Sequence, residues 1–273
     1  MASTPGARRW ILPFPATDAL SPARKRWRER RRLEAQRLIA LEKRFLPLLL
    51  TAVLPILLMP FTARYGWQGH ALLALVFNLL IVQSIRTLPV MPGVPYARPR
   101  QAFFCGIGLV GSIGLWVPVA SGEWPGGSFH AGEMVLLSLF FLITSTRLVR
   151  VLARVPRVNG QVLAGAAAGY LHLGLTGGVL ATATQVLVPG SFSLGETAGQ
   201  QLLLDRLTYF SFVTVAGVGY GDVLPANAVG ERFVILLSVA STLYMALLVG
   251  LLLGRFIASE EVEMLEDEEL GPP

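Results

Sequence analysis

The sequence predicts an all-α membrane protein: six transmembrane helices, with a re-entrant helix and a glycine-rich loop between the fifth and sixth. Three observations predict it. Hydrophobic residues make up 53% of the 273 and charged residues 15%, with a mean hydropathy of +0.58; a soluble chain carries about 25% charged residues. The charges sit in patches, which leaves long stretches with none. Between the last two apolar runs lies a segment too short to cross a bilayer and return. Such backbone is tolerated at membrane depth only where protein buries it or water lines it.

A helix rises about 1.5 Å per residue, so roughly 20 apolar residues cross a hydrocarbon core of about 30 Å. Phe45–Ala63 is the first candidate, with 19 uncharged residues and with Pro47, Pro55 and Pro60 expected to kink or shorten it. His70–Ile85 follows a tight turn over Tyr65–Gly69. Ala102–Gly122 is free of charge, and Gly106, Gly108, Gly111 and Gly114 offer close helix contacts. Met134–Val149 is the weakest, because only 13 residues separate Glu133 from Arg147. Gln161–Gly195 carries no formal charge and exceeds one span. Phe233–Gly254 is the last. Gln200–Val215 reads as the short re-entrant helix.

Charge placement orients the chain. With both termini in the cytoplasm, 20 Lys and Arg fall on the inner side, 12 of them before Phe45, and only Arg64, Arg206 and Arg232 fall outside. That asymmetry follows the positive-inside rule of a plasma (cytoplasmic) membrane protein. It also explains the net charge of +6 without nucleic acid. The segment 1–44 is basic, and Ala19–Arg44 is helix-compatible, either lying on anionic inner-leaflet lipids or solvated and setting topology alone. It lacks the short apolar core of a secretory signal. Residues 259–273 form an acidic cytoplasmic tail, with seven acids between Glu260 and Glu269, expected to be solvated and poorly ordered. Cys105 is the single cysteine, which excludes an intrachain disulfide or a CxxC site.

The chemistry lies in Tyr209-Phe-Ser-Phe-Val-Thr-Val-Ala-Gly-Val-Gly-Tyr-Gly-Asp222. Gly217, Gly219 and Gly221 alternate with Val218 and Tyr220. Alternating glycines allow backbone angles of opposite sign, so successive carbonyls can point toward one axis. Several chains together could then replace the water around a dehydrated cation. A nucleotide-binding glycine loop would need a preceding strand in a soluble αβ unit, and neither is present.

From Gly160 to about Ile257 the sequence resembles the pore domain of the potassium channel family, whose filter signature is Thr-Val-Gly-Tyr-Gly-Asp. Tyr209, Ser211, Phe212 and Thr214 sit as in many of its pore helices. The resemblance implies a pore domain over 158–258, passive K⁺ conduction by a homotetramer, and no enzyme activity or cofactor beyond K⁺ as the permeant ion. It implies ion coordination by the carbonyls of Gly217, Val218, Gly219 and Tyr220, with Gly221 permitting the backbone. Tyr220 would pack the filter wall. Asp222 would be braced by a pore-helix donor, with Tyr209 the candidate, or be a solvated carboxylate at the mouth. Glu196, Asp222 and Glu231, repeated fourfold, would attract cations there. One departure stands out: Gly217 occupies the threonine position, so the innermost hydroxyl ring is missing. Conduction is expected to survive with looser discrimination against Na⁺. The alternatives are a weakly selective monovalent cation channel and a non-conducting regulatory subunit. Two inverted halves with matching broken helices, the mark of a transporter, are not visible.

The four-helix unit 45–157 is expected not to sense voltage. Arg147, Arg150, Arg154 and Arg157 lie only at the cytoplasmic end, and no acidic residue occurs between Glu42 and Glu123. A gate or hinge is placed at Ser241, Gly250 or Gly254, the glycines serving equally as packing contacts. His172 within the fifth span is either a proton sensor or a neutral residue bonded to a neighbouring helix, the second being the simpler reading. His70 and His130 lie near the outer face with Glu123 and Glu133, where an outer metal site is conceivable. Gly165-Ala-Ala-Ala-Gly169 fits close helix packing.

Overall fold

The computed structural model describes residues 43–62, 66–88, 97–121, 128–155, 159–194 and 203–270. The expectations for the amphipathic N-terminal segment before Lys43, and for Glu123, Arg157 and Glu196, lie outside these residues. Residues 39–273 form a compact unit of their own. In chain order its helices are α1 (Phe45–Thr62), α2 (Gly66–Thr87), α3 (Ala97–Gly114), α4 (Val117–Ser121), α5 (Ser128–Leu152), α6 (Gly160–Leu187), α7 (Leu203–Val215) and α8 (Ala228–Leu270). Two short strands, β1 (Phe192–Ser193) and β2 (Leu224–Pro225), flank α7.

Among the described residues, four helices are long and apolar enough to cross a membrane: α2, His130–Leu152 of α5, α6, and Ala228–Gly250 of α8. The apolar part of α1, Phe45–Phe61, is shorter. The expected third span, Ala102–Gly122, is interrupted. Helix α3 starts early enough to include Arg98 and Arg100, then stops at Gly114. Pro118 is the cause: it has no N–H to donate to the Gly114 carbonyl. A turn at Leu115–Trp116 restarts the chain as α4.

The span that looked weakest is a helix of 25 residues. Glu133 and Arg147, the charges that made it look weak, are accommodated rather than excluded. Arg147 donates to the Leu88 carbonyl at 3.0 Å and to Gln101 Oε1 at 2.7 Å, with its guanidinium 4.5 Å from the centre of the Phe104 ring. Glu133 lies buried beside His130 and against Gly114, where any Cβ would collide with its carboxylate.

Helix α6 is the hub, packing against α1, α5, α7 and α8, with 78% of its apolar window buried. Small residues make this possible, since side chains from four helices close on its glycines. The rings of Phe77, Phe104, Phe140 and Phe141 fill the space among α2, α3 and α5, with Phe104 and Phe140 stacked at 4.7 Å. His172 is fully buried: Nδ1 lies 2.7 Å from the Ala168 carbonyl and Nε2 3.2 Å from Ser84 Oγ. It ties α6 to α2, as the simpler of its two readings has it.

Two expectations need correction. The acidic tail is helical: α8 continues to Leu270, 43 residues in all, or about 64 Å. No Gly or Pro interrupts 255–270, and Glu, Leu, Met and Ala are good helix formers. The domain is also not purely α. Strands β1 and β2 pair antiparallel, with Phe192 opposite Pro225 and Ser193 opposite Leu224.

Candidate functional site

Helix α7 lies against α6 because α6 offers it glycines. A Cβ at Gly178 would sit 2.6 Å from Thr208 Cα, which is backbone and cannot rotate away. Gly177 faces the Ser211 hydroxyl, and Gly174 faces the Phe212 ring, each too closely for any side chain. Ser211 Oγ donates to the Gly174 carbonyl at 2.7 Å. These three glycines and Ser211 fix how deep the short helix sits. The spacing 174, 177, 178 was available in the sequence, but α6 holds so many small residues that nothing marked out this set.

The end of α7 is built by Gly217. Its φ is 71°, a left-handed conformation that residues with a Cβ adopt at a cost. The Gly217 N–H donates to the Thr214 carbonyl at 3.0 Å, and the Val218 N–H to the Val213 carbonyl at 3.0 Å. This pair of bonds is a Schellman cap, with glycine at the position where such caps most often carry it. The loop therefore starts as a helix stop. Gly219 and Gly221 follow at φ 58° and 77°, so left-handed residues recur at every second position from 217 to 221. Val218 and Tyr220 between them are 52% and 70% exposed in the single chain. Thr214 Oγ1 is turned back onto the Phe210 carbonyl at 2.9 Å.

Beyond the loop, the chain is anchored twice. Val223 is buried with Phe192, Leu207, Phe210 and Ala181. The Ala226 N–H donates to the Ser191 carbonyl at 2.8 Å, and Gly230 leaves room for that carbonyl. Asn227 caps α8, its Oδ1 accepting from the N–H groups of Val229 and Gly230 at 3.0 Å each. The β1–β2 pair joins the exit of α6 to the exit of the loop.

Asp222 is held by a residue that the sequence reading counted only as an outer charge. Arg206 Nη2 lies 3.2 Å from Asp222 Oδ2, with both side chains a little over a third exposed. The same guanidinium lies 5.5 Å from the centre of the Tyr209 ring. The Tyr209 hydroxyl is pushed above the ordinary phenol value, by lost hydration first and then by the Asp222 carboxylate as hydrogen-bond acceptor and as a charge. Burial raises the Asp205 carboxyl, against the lowering effect of Arg206. Asp222 thus has an arginine partner that the sequence did not single out. The available signal was a lone cation in an apolar helix.

The gate candidates separate. Ser241 is buried, with its hydroxyl bonded to the Ser238 carbonyl at 2.9 Å. Gly250 and Gly254 have open space where a Cβ would stand, so they make no close packing contact among the described residues. Helix α8 is tied elsewhere. Tyr244 Oη donates to the Ala166 carbonyl at 3.0 Å and fills the notch at Gly169. Leu237, Ser241 and Tyr244 form the narrow buried face of α8, of whose apolar window only 17% is buried.

A family model described as ion channel matches residues 170–258, from within α6 to within α8. This part of the chain is similar to an ion channel domain, and the apolar helices in and around it are those of an integral membrane protein. No curated protein and no solved structure matches the chain.

Proposed function

We propose that the chain forms a passive K⁺-selective channel as a homotetramer, with the ion held by backbone carbonyls of Gly217, Val218, Gly219 and Tyr220. The observation that carries this reading is the run of left-handed glycines at 217, 219 and 221, at the end of a short capped helix inside an ion channel domain. Conformations that alternate in hand turn successive carbonyls the same way, and a ring of such carbonyls replaces an ion's hydration shell. One loop cannot surround an ion. Four copies about one axis would do so, and would cover Tyr220 and the exposed Leu236, Leu243 and Leu247 of α8.

In this reading α1 and α3 complete six crossings despite their length, both termini are cytoplasmic, and the basic N-terminal segment meets anionic lipid. The unit 45–157 does not sense voltage: Arg147 is bound to a carbonyl and an amide, with no carboxylate partner among the described residues. No catalytic role is assigned. A second reading, a weakly selective monovalent cation pore, is favoured by Gly217, which leaves no hydroxyl ring at the inner end of the filter.

The test is the reversal potential of the purified protein in a planar bilayer with K⁺ on one side and Na⁺ on the other. A large potential with the sign set by K⁺ is expected. Reversal near zero refutes K⁺ selectivity and supports the second reading. Absence of current in wild type at every voltage tried, with a folded tetramer demonstrated, supports a non-conducting subunit.

A further inference from the structure

Helix α8 is held to α6 at two points. Leu237 and the Ser211 hydroxyl of α7 close on Gly177, where no Cβ would fit. About two turns on, the Tyr244 hydroxyl fills the notch at Gly169 and donates to the Ala166 carbonyl at 3.0 Å. Helix α5 reaches the same notch: Leu148 lines it, and Ser145 Oγ donates to the Gly169 carbonyl at 3.1 Å. Tyr244 and Leu148 are both buried. One residue of α6 therefore meets both the four-helix unit and α8. Beyond Tyr244 the hold ends. Between Met245 and Ile257 none of the described α8 side chains is buried.

A weak point lies between the two holds. Ser241 Oγ and Thr242 Oγ1 both donate to the Ser238 carbonyl at 2.9 Å, which the helical ladder also assigns to the Thr242 N–H. A carbonyl has only two lone pairs, and hydroxyls that bond back to a helix carbonyl loosen and bend the helix there. We propose that Tyr244 is a latch. Seated in the Gly169 notch, it holds the far half of α8 against α6 and α5. Its release lets that half swing about the 238–242 turn while Leu237 stays in place.

The lever is long. Ile257 lies 16 residues beyond Ser241, about 24 Å along the helix, so a kink of about 20° there moves it by about 8 Å. A shift of α5 at Leu148 alters the notch that Tyr244 occupies, so the four-helix unit acts on α8 without moving a charge across the membrane. Control of conduction by the latch rests on the channel reading; the seating of Tyr244 and the swing of α8 do not.

The test uses the full chain in lipid bilayers, in wild type and as Tyr244→Phe, Gly169→Ala and Leu148→Val. Phe loses the bond to Ala166, Ala displaces the hydroxyl, and Val withdraws the α5 wall. Open probability and the K⁺/Na⁺ permeability ratio are recorded for each. Separately, with the single cysteine removed as Cys105→Ser, nitroxides at Lys43→Cys and Ile257→Cys give a distance within one chain by pulsed EPR, with labelled chains diluted by unlabelled ones. Lys43 precedes α1, which is tied to α6 where the Leu46 N–H donates to Gln161 Oε1 at 3.3 Å. Open probability is expected to change at least threefold, in one direction, in all three variants. The permeability ratio should stay level, and the distance should shift by several ångströms. The Tyr244→Phe, Gly169→Ala double variant should do no more than either single one. An unchanged distance in both Tyr244→Phe and Gly169→Ala overturns the latch, as does an open probability that ignores them. A permeability ratio that moves with open probability overturns it too, since the residues then only support the pore. No response to Leu148→Val refutes the part given to α5. The distance shift with no current in any of these proteins upholds the latch and overturns the channel reading instead.

Discussion

Replacing Gly217 separates two meanings of that residue. As a motif position it lacks a threonine, and Gly217→Thr would restore a hydroxyl ring. As a structural position it is the left-handed cap of α7, and Gly217→Thr would strain it. The magnitude follows from φ, which is 71°. An L-residue held left-handed costs about 1–2 kcal/mol, and a β-branched one is a pronounced outlier there. Flipping to a right-handed conformation offers no escape, because it breaks the bonds to Thr214 and Val213, each worth about 0.5–1.5 kcal/mol. Crowding adds nothing within the chain, since a Cβ at Gly217 meets no atom within 4 Å. Asn tolerates the left-handed region. Thermal unfolding of the purified protein should therefore rank Gly217→Asn closest to wild type, then Ala, then Thr, at about 2–4 °C per kcal/mol. If Thr is as stable as Ala, or Asn as damaging as Ala, the cap assignment is wrong. The K⁺/Na⁺ permeability ratio of Gly217→Thr reports on the hydroxyl ring only if that variant keeps its thermal midpoint.

Four further outcomes are expected. Arg206→Gln and Asp222→Asn should each lower stability by no more than about 1 kcal/mol, as for exposed ion pairs, yet change conduction alike; a double mutant no worse than either single one checks the shared pair. Gly178→Val should destabilise by about 1–3 kcal/mol, because the Thr208 backbone must move; unfolding midpoints read it directly. Tyr244→Phe should cost about 1 kcal/mol for one buried hydrogen bond, and it should partly rescue Gly169→Ala by removing the hydroxyl that the new methyl meets. Burial raises the Asp205 carboxyl in the folded state. Its penalty is therefore present above the folded value and relieved below it, so acidification through that range should stabilise wild type relative to Asp205→Asn.

What the sequence made legible depended on how local the physics is. Apolar runs and their charge borders placed both ends of α2 and α7 to within four residues and located α5, α6 and α8 without all of their ends, because burial in hydrocarbon is a property of the run itself. Helix α3 failed where a single imino acid, Pro118, outweighed the surrounding hydropathy. Glu133 and Arg147 made α5 look weak because sequence shows a charge but not its partner. Here the partners are His130, one turn away on the same helix, Leu88 beyond α2, and Gln101 on α3. The β1–β2 pair is two residues a side, too short to leave a periodic signal. The acidic tail shows the opposite error. Charge density suggested disorder, whereas helix propensity without a breaker carried α8 onward.

The glycine loop shows why a motif and a geometry are different statements. Matching Gly217-Val-Gly-Tyr-Gly-Asp222 against a signature counts Gly217 as a loss, since a side chain with a ligand oxygen has gone. The backbone makes it a component. With φ positive at 217, the left-handed alternation starts one step earlier than Gly219 and Gly221 alone require, and the same residue terminates the helix that supports the loop. A threonine could supply the oxygen but not this conformation without strain. The start of the loop is thus shaped by backbone sterics, and its far end by charge, through Arg206 and Asp222. Selectivity in such a loop depends on carbonyls held in place. The perturbations expected to matter most are therefore those that free an end, at Gly217 or at Arg206, ahead of those that alter Val218 or Tyr220.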